Sequence, residues 1–582
     1  MHGLRHRLVS GSGVAAVLLS TFAAILLLDR AVPPLRLDLT EQAIWTLTED
    51  SRALAAQVPE TIELTLYFSR SLAGAAPEHA AYARFVEDTL TLFTRASDGR
   101  LRLKVVDPEP ASAAEDEALE AGLLPVPVGR RGETLLLGLV ARTASGRSRT
   151  LPVLDPAEDA TLEYRLARLL DELTRTAPPR VGLLAGVPLA PGFDAAGRPQ
   201  RGTEVHRRLA ARFDLREIDP EAEGALTDLD VLLLVHPRGL SEAARYALDQ
   251  FALGGGRLLV LVDPHAERDP LAAALPFADA ATPRASGAAD LLAAWGARLA
   301  PDVVLDGLHA MPVNLAPGSP PTRHPAMPAL TRSAFADDDP VLARMAQINL
   351  SSPGALTPTA DATTAFEPLL RSSTRSALLP PARRASLRDP GALMEEIPAE
   401  GQRHVLAARL RGPARSAFTG RPGFAPERLE GEVEILVVAD TDLLADPLWT
   451  ARDGAGVLRP WAGNGDFVVN AVDHLAGSRR LLGVRGQPRF ARPFERIEAM
   501  EREADDRFLG RLRELEAKLA EGTVAASERR RLREELRSVQ RALTADVERL
   551  TRRLELAGIF GAPLLVILLG ALLAMRRRLR AA

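Results

Sequence analysis

The chain contains no cysteine. Thiolate catalysis, Cys-ligated zinc and disulfide staples are therefore excluded, and the fold must be stabilised by its hydrophobic cores. Lysine is almost missing as well: Lys104 and Lys518 are its only occurrences, and every other basic side chain is arginine apart from the histidines. Neither lysine ends a glycine-rich loop or precedes Ser or Thr, which removes the P-loop route to ATP hydrolysis. The ten histidines show no H-E-x-x-H or other zinc spacing, and Ser372, Ser373 and Ser416 have no G-x-S-x-G context. His236-Pro237 and His324-Pro325 read as turn residues at strand or loop ends. No nucleophile, base and orienting group are legible together, so the expectation is a protein that is not an enzyme. The formal net charge of −4, with no basic stripe outside the tails, argues against nucleic acid as a partner.

Two long apolar runs are present, one at each end: Leu8 to Leu28 and Ile559 to Met575. Each approaches the roughly 20 residues that cross a hydrocarbon core of about 30 Å. Arg5 and Arg7 before the first run, and Arg576, Arg577, Arg578 and Arg580 after the second, place both tails in the cytoplasm. The expected location is the inner (cell) membrane, in contact with its lipid, with the bulk of the chain periplasmic or otherwise extracytoplasmic. A cleaved signal peptide is the alternative for the first run. The Asp29, Arg30, Pro33 and Pro34 that follow it suit a retained anchor better.

With 582 residues, 46% hydrophobic and 25% charged, the length allows two to four domains of ordinary globular composition. After the tail and anchor of residues 1–34, residues 35–176 read β-α-β-α-β-β-α, with strands at Thr61 to Ser69 and Arg100 to Asp107 and a helix from about Pro77 to Arg95. That order is the order of a thioredoxin-like fold, and without cysteine such a domain is a scaffold or binding module. Residues 177–493 read as a doubly wound α/β unit. Its short apolar strands are Arg180 to Gly186, Asp228 to Pro237 and Arg257 to Pro264, and the same sheet resumes at Gly431 to Asp442. Between them, about 307–426 is rich in Pro, Ala and Ser. It reads as an insertion that packs a small subdomain of short strands on the sheet, with a mobile stretch near Pro380 to Leu393. Residues 494–555 carry leucines at helical spacing (Phe508, Leu512, Leu515, Leu519, then Leu532 onward), a helical hairpin or coiled-coil stalk. This stalk leads into the membrane helix and basic tail of 556–582.

Four segments in order, RYALDQFALGGGRLLVLVDPHAE (Arg245 to Glu267), LLAAWGARLAPDVVLDG (Leu291 to Gly307), EILVVADTDLLAD (Glu434 to Asp446) and NGDFVVNAVDHLAGSRRLLGVRGQPRFARPF (Asn464 to Phe494), resemble a known family. It is the auxiliary component of Gld-type, gliding-motility-associated ABC transport systems. The opening LDLTEQAIWTLTEDSRAL (Leu37 to Leu54) resembles the start of that family's extracytoplasmic region. The resemblance implies an amidotransferase-like sheet, akin to a domain of intraflagellar-transport proteins, without catalytic apparatus. It also implies two partners, a multi-span ABC permease and a separate cytoplasmic ATPase. The expected role is to bind substrate or envelope partners, polysaccharide or protein, and couple them to the transporter. A structural scaffold without ligand and an envelope glycan-acting enzyme are the alternatives.

Acidic residues at strand ends are the candidate site. Asp263 and His265 end one strand, and Asp440 and Asp442 end another; these four are the candidate ligand-binding residues. Asp466, Asn470 and Asp473 follow within a turn or two of helix. Such an oxygen-rich group could hold Ca²⁺ or Mg²⁺ or contact sugar hydroxyls. Aspartates at strand ends more often cap the next turn, and no cofactor or metal is assigned. Arg485, Arg489 and Arg492 are read as pairing with carboxylates.

Overall fold

The computed structural model describes residues 46–484 apart from short stretches, the longest of them 270–283. The two terminal apolar runs, the hairpin over 494–555 and Arg485, Arg489 and Arg492 lie outside the described residues. Within the described residues no helix is long and apolar enough to cross a membrane.

The first unit starts with helix α1 (Glu49–Ala56), capped by Thr48. Strand β1 (Ile62–Phe68), helix α2 (Pro77–Ala96), strand β2 (Leu101–Val106) and helix α3 (Ala113–Glu120) follow. Strands β3 (Leu137–Thr143) and β4 (Ser148–Leu151) and helix α4 (Leu162–Thr174) complete it. The sheet runs β2-β1-β3-β4; β1 and β2 are parallel, and β3 is antiparallel to both its neighbours. Helix α2 opens on Pro77, which tolerates the first helical position because its missing N–H has no partner there. Its Tyr82, Phe85, Val86, Leu90 and Phe93 recur at helical spacing and are buried against the sheet. Leu481 and Val484, far along the chain, join the same core.

In the second unit a long sheet is built from β5 (Arg180–Ala185), β6 (Asp214–Glu217), β7 (Val231–Val235) and β8 (Arg257–Leu261). Helices α5 (Glu204–Arg212) and α6 (Glu242–Leu253) connect them. Ser241 caps α6 by accepting from Ala244 N–H at 3.0 Å, and Gly255, at φ 87°, takes the left-handed turn that closes it. Strand β7, Val-Leu-Leu-Leu-Val, is buried at every position because parallel strands are covered on both faces. Fully burying each such side chain is worth about 1.5–3 kcal/mol.

Beyond helix α7 (Ala289–Trp295), the chain forms β9 (Ala297–Asp306), β10 (Thr322–Leu330), β11 (Gly354–Pro358), β12 (Ala365–Arg371) and β13 (Ser376–Leu379). Then come β14 (Val405–Arg415), β15 (Glu430–Val438) and helix α8 (Asn464–Leu475). The sheet order is β6-β5-β7-β8-β15-β14-β11-β9-β13, with β12 paired to β14 off this path. As expected from the sequence, β15 resumes the parallel sheet next to β8, Leu261 pairing with Val438. The segment 307–426 meets expectation in part: Ala310–Val313, β10 and Ile348–Asn349 form a separate small sheet whose Met311, Leu330 and Ile348 share a core with the main sheet. Its other strands, β11 to β14, depart from expectation: they extend the edge of the main sheet as antiparallel strands, nine residue pairs long between β14 and β15. Adding ladder hydrogen bonds to the open edge at β15 satisfies backbone groups that would otherwise face water. Pro380 to Leu393 contains two short helices, Pro381–Ser386 and Pro390–Glu395.

The two units are tied together by side chains of α4. Tyr164 Oη is 2.9 Å from His474 Nδ1, both buried. Arg168 pairs with Asp473, and Arg212 reaches both Glu172 and Asp473 at 3.0 Å.

Candidate functional site

Strands β8 and β15 lie side by side, parallel and in register, and each is followed two residues later by an aspartate. The register that pairs Leu261 with Val438 therefore brings Asp263 beside Asp440, and the turn after β15 adds Asp442. One carboxylate oxygen from each lies within 4.8 Å of the others, and all three residues are buried. Three of the four residues singled out in the sequence meet here. The fourth, His265, contributes its backbone N–H, which donates to Asp263 Oδ1 at 2.7 Å.

All six oxygens of this group accept from backbone N–H groups. Asp263 Oδ2 accepts from Thr441 N–H at 2.9 Å, and also from the Thr441 hydroxyl at 3.0 Å. Asp440 accepts from Leu443 at 3.1 Å and Ser351 at 2.6 Å. Asp442 accepts from Glu267 at 2.7 Å and Arg268 at 3.2 Å. The donor set suits a hard cation, yet these N–H groups already supply the compensation a buried carboxylate needs. The aspartates thus lock three turns together at the carboxyl edge of the sheet. Burial, together with the charge of Asp442, pushes the Asp263 carboxyl well above the usual range. Burial and the charges of Asp263 and Asp442 do the same to Asp440. Burial pushes Asp442 up to about 6 against the opposing backbone hydrogen bonds, with Glu267 adding to the rise.

Asp466, Asn470 and Asp473 do not join the group. Asp466 pairs with Arg208 at 2.7 Å, Asn470 donates to Val341 O at 3.4 Å, and Asp473 faces Arg168 and Arg212. On α8 the apolar face of Phe467, Val468, Ala471, Val472 and Leu475 is buried, and this rotation carries the acidic positions away from the strand ends. His324 lies inside β10 rather than in a turn. His236 does sit in a turn, at φ 47° directly after β7, with Nδ1 2.8 Å from Ser286 Oγ. Burial lowers its pKa to about 4, so it is neutral, and Ser286 Oγ also accepts from Asp263 N–H at 2.9 Å. Ser373 binds Asp306, Ser372 binds Ser376, and Ser416 binds Asp249, all as internal contacts.

Beside Asp442 opens a cleft of about 310 Å³. The loop after β5 (Val187 to Leu189), the approach to α5 (Gln200, Arg201, Thr203), Arg268, and the turn Thr441 to Pro447 form its walls. Thr203 caps α5, accepting from His206 N–H at 3.3 Å, and Asp446 Oδ1 accepts from Glu204 N–H at 2.8 Å. The cleft lies outside the carboxyl ends of the parallel strands, where ligands bind in open α/β sheets, and its volume is that of a small-molecule site. Sequence reasoning found Asp442 but missed Arg201, Arg268 and Asp446. They come from three separate connections, and no local pattern announces that the sheet gathers them.

Comparison with known proteins bears on the region that carries this cleft. Residues 41–142 match a domain of unknown function (DUF7088). No curated protein matches the chain. Among solved structures, a ThuA-like protein from Bacteroides uniformis ATCC 8492 is 11% identical, the match covering 55% of this chain and 98% of that one, with a TM-score of 0.22. Residues 178–471 match the family described as ABC-type uncharacterized transport system. That match spans half of the chain, from just before β5 into α8. The chain belongs to this family of ABC-type transport system auxiliary components, whose members work with transporter components.

Proposed function

We propose that the chain is a non-catalytic auxiliary subunit whose α/β body binds substrate or an envelope partner outside the membrane and couples it to a separate permease and cytoplasmic ATPase. The cleft at the carboxyl edge of β5, β8 and β15 carries this reading: it is a concave site in the family-defining region, with charged side chains converging on it. The apolar runs at both ends support anchoring in the inner membrane with both tails cytoplasmic. The four segments between Arg245 and Phe494 support placement nearer the Gld-type members. Strand order and the absence of cysteine support reading the first unit as a thioredoxin-like scaffold, and α4 as its link to the second unit. The test is purification of the full chain in detergent after brief in-cell crosslinking, with mass spectrometry of the copurifying proteins. A multi-span permease with an ATPase is the expected result. Reproducible recovery of envelope proteins alone, with the permease expressed, refutes it and leaves a scaffold.

One observation favours a second reading, a hydrolase of the envelope. His309 Nδ1 is 2.8 Å from buried Asp306, and Ser333 Oγ lies 3.5 Å from His309 Nε2. That is the order of contacts in a serine, histidine and aspartate triad. A serine-reactive fluorophosphonate probe that labels the wild type but not Ser333→Ala would establish it, and no labelling of the wild type would dismiss it.

A further inference from the structure

We propose that the cleft beside Asp442 recognises a small polyhydroxylated anion, an acidic sugar whose carboxylate or phosphate is held by Arg201 and Arg268. This rests on the reading of the body as a binding module and names what it binds. Around the cleft, arginines are generally committed: Arg207 and Arg208 to Glu204, Arg238 to Asp269, Arg384 to Glu267. Arg201 and Arg268 are different. Both line the cleft and are exposed, and neither side chain has a salt-bridge partner among the described residues. A guanidinium offers a planar fork of donors that matches a carboxylate or a phosphate in two parallel hydrogen bonds.

Asp442 and Asp446 act on Arg268 electrostatically, but neither forms an ion pair with it among the described residues. Both oxygens of Asp442 accept from the N–H groups of Glu267 and Arg268, so neither competes for the donors of the Arg268 fork. Asp446 uses Oδ1 on the first N–H of α5, while Oδ2 makes no hydrogen bond among the described residues. That free oxygen is an acceptor for a ligand hydroxyl. Leu189, Leu444 and Pro447 add apolar wall. Guanidinium donors for an oxyanion and a carboxylate acceptor for hydroxyls, within about 310 Å³, describe an acidic monosaccharide or the acidic residue of a longer glycan.

Isothermal titration of the full chain in detergent tests this, with glucuronate, glucose 6-phosphate, glucose and inorganic phosphate as probes. Binding of at least one acidic sugar, clearly tighter than glucose, is expected. Arg201→Ala and Arg268→Ala should each weaken it by about tenfold or more, the loss of a charged hydrogen bond, with the melting temperature unchanged because both side chains are exposed. Arg268→Lys should recover only part of the affinity, since the charge returns without the fork. Preference for glucuronate assigns the oxyanion as a carboxylate, and preference for glucose 6-phosphate as a phosphate. The proposal falls if no acidic sugar binds at millimolar concentration, if inorganic phosphate binds as well as the best sugar, or if the double alanine variant binds normally. If the permease and ATPase still copurify while no acidic sugar binds, the ligand assignment fails and the transport reading stands. Sugar binding without any copurifying transporter means the opposite: the transport reading fails and the ligand assignment stands.

Discussion

Replacing Asp442 by asparagine should change how stability depends on pH, because its carboxyl is held at about 6 in the folded chain against a usual value of 3.8. The folded-state pKa is raised, so the contribution is complete below the unfolded value and is lost as pH rises through the folded one. Between pH about 4 and 6 the unfolded chain gives up this proton while the folded chain keeps it. Stability therefore falls by roughly 1.4 kcal/mol per pH unit, about 3 kcal/mol in all, and then levels off. Asparagine removes that slope. It also turns an NH₂ toward one of the two N–H groups that Asp442 accepts from, the weaker being Arg268 at 3.2 Å. Leaving that donor unpaired costs about 1–3 kcal/mol. At pH 7 the two effects oppose each other and leave the variant equal to or up to about 2 kcal/mol more stable than the wild type, and at pH 4 only the cost remains, so it should be less stable by about 1–3 kcal/mol there. Urea denaturation of the full chain in steps from pH 4 to 7.5 measures both curves. The charge of Asp442 also raises Asp263 and Asp440, so the difference between the curves reports Asp442 together with its effect on these two neighbours. Identical pH slopes in wild type and variant would refute the reasoning.

Two further perturbations probe the framework around the site. Asp473→Ala strips Arg168 and Arg212 of their shared carboxylate; for a largely buried pair of which half is removed, about 2–4 kcal/mol is expected. The loss should appear as faster amide exchange in α4 and α8, and unchanged exchange in both helices would contradict it. A Cβ at Gly186 would stand 2.1 Å from His236 O, so Gly186→Ala must push apart the ends of β5 and β7. An overpacking cost of about 1–3 kcal/mol and a lowered melting temperature should follow, and an unshifted melt would show that this backbone contact gives way freely.

Much of the site framework was legible because β8 and β15 advertise themselves. Each is a short apolar run closed by an aspartate, and two parallel strands ending in the same way place those aspartates together once they are neighbours. That Asp442 would complete the group follows from its position one turn later. The histidines were harder to read. His324-Pro325 looks like a turn dipeptide, yet proline is tolerated in β10, where the ladder shifts register against Ala310–Val313. Asp473 looked like a member of the cluster because it follows in sequence, and only the direction of α8's apolar face sends it to α4 instead.

The sequence by itself determined the absence of thiol and P-loop chemistry, the parallel strands β5, β7, β8 and β15 of the second unit, and the aspartates that close β8 and β15. These are local properties, written in composition, in the periods of two and 3.6 residues, and in the turns that end each element. Tertiary structure alone decided that β11 to β14 of 307–426 widen the sheet, that α4 clamps the two units through Tyr164 and Arg168, and that Arg201, Arg268 and Asp446 share one cleft. Each of those depends on which edges pair and which faces meet, contacts between residues tens to hundreds of positions apart that no local pattern encodes.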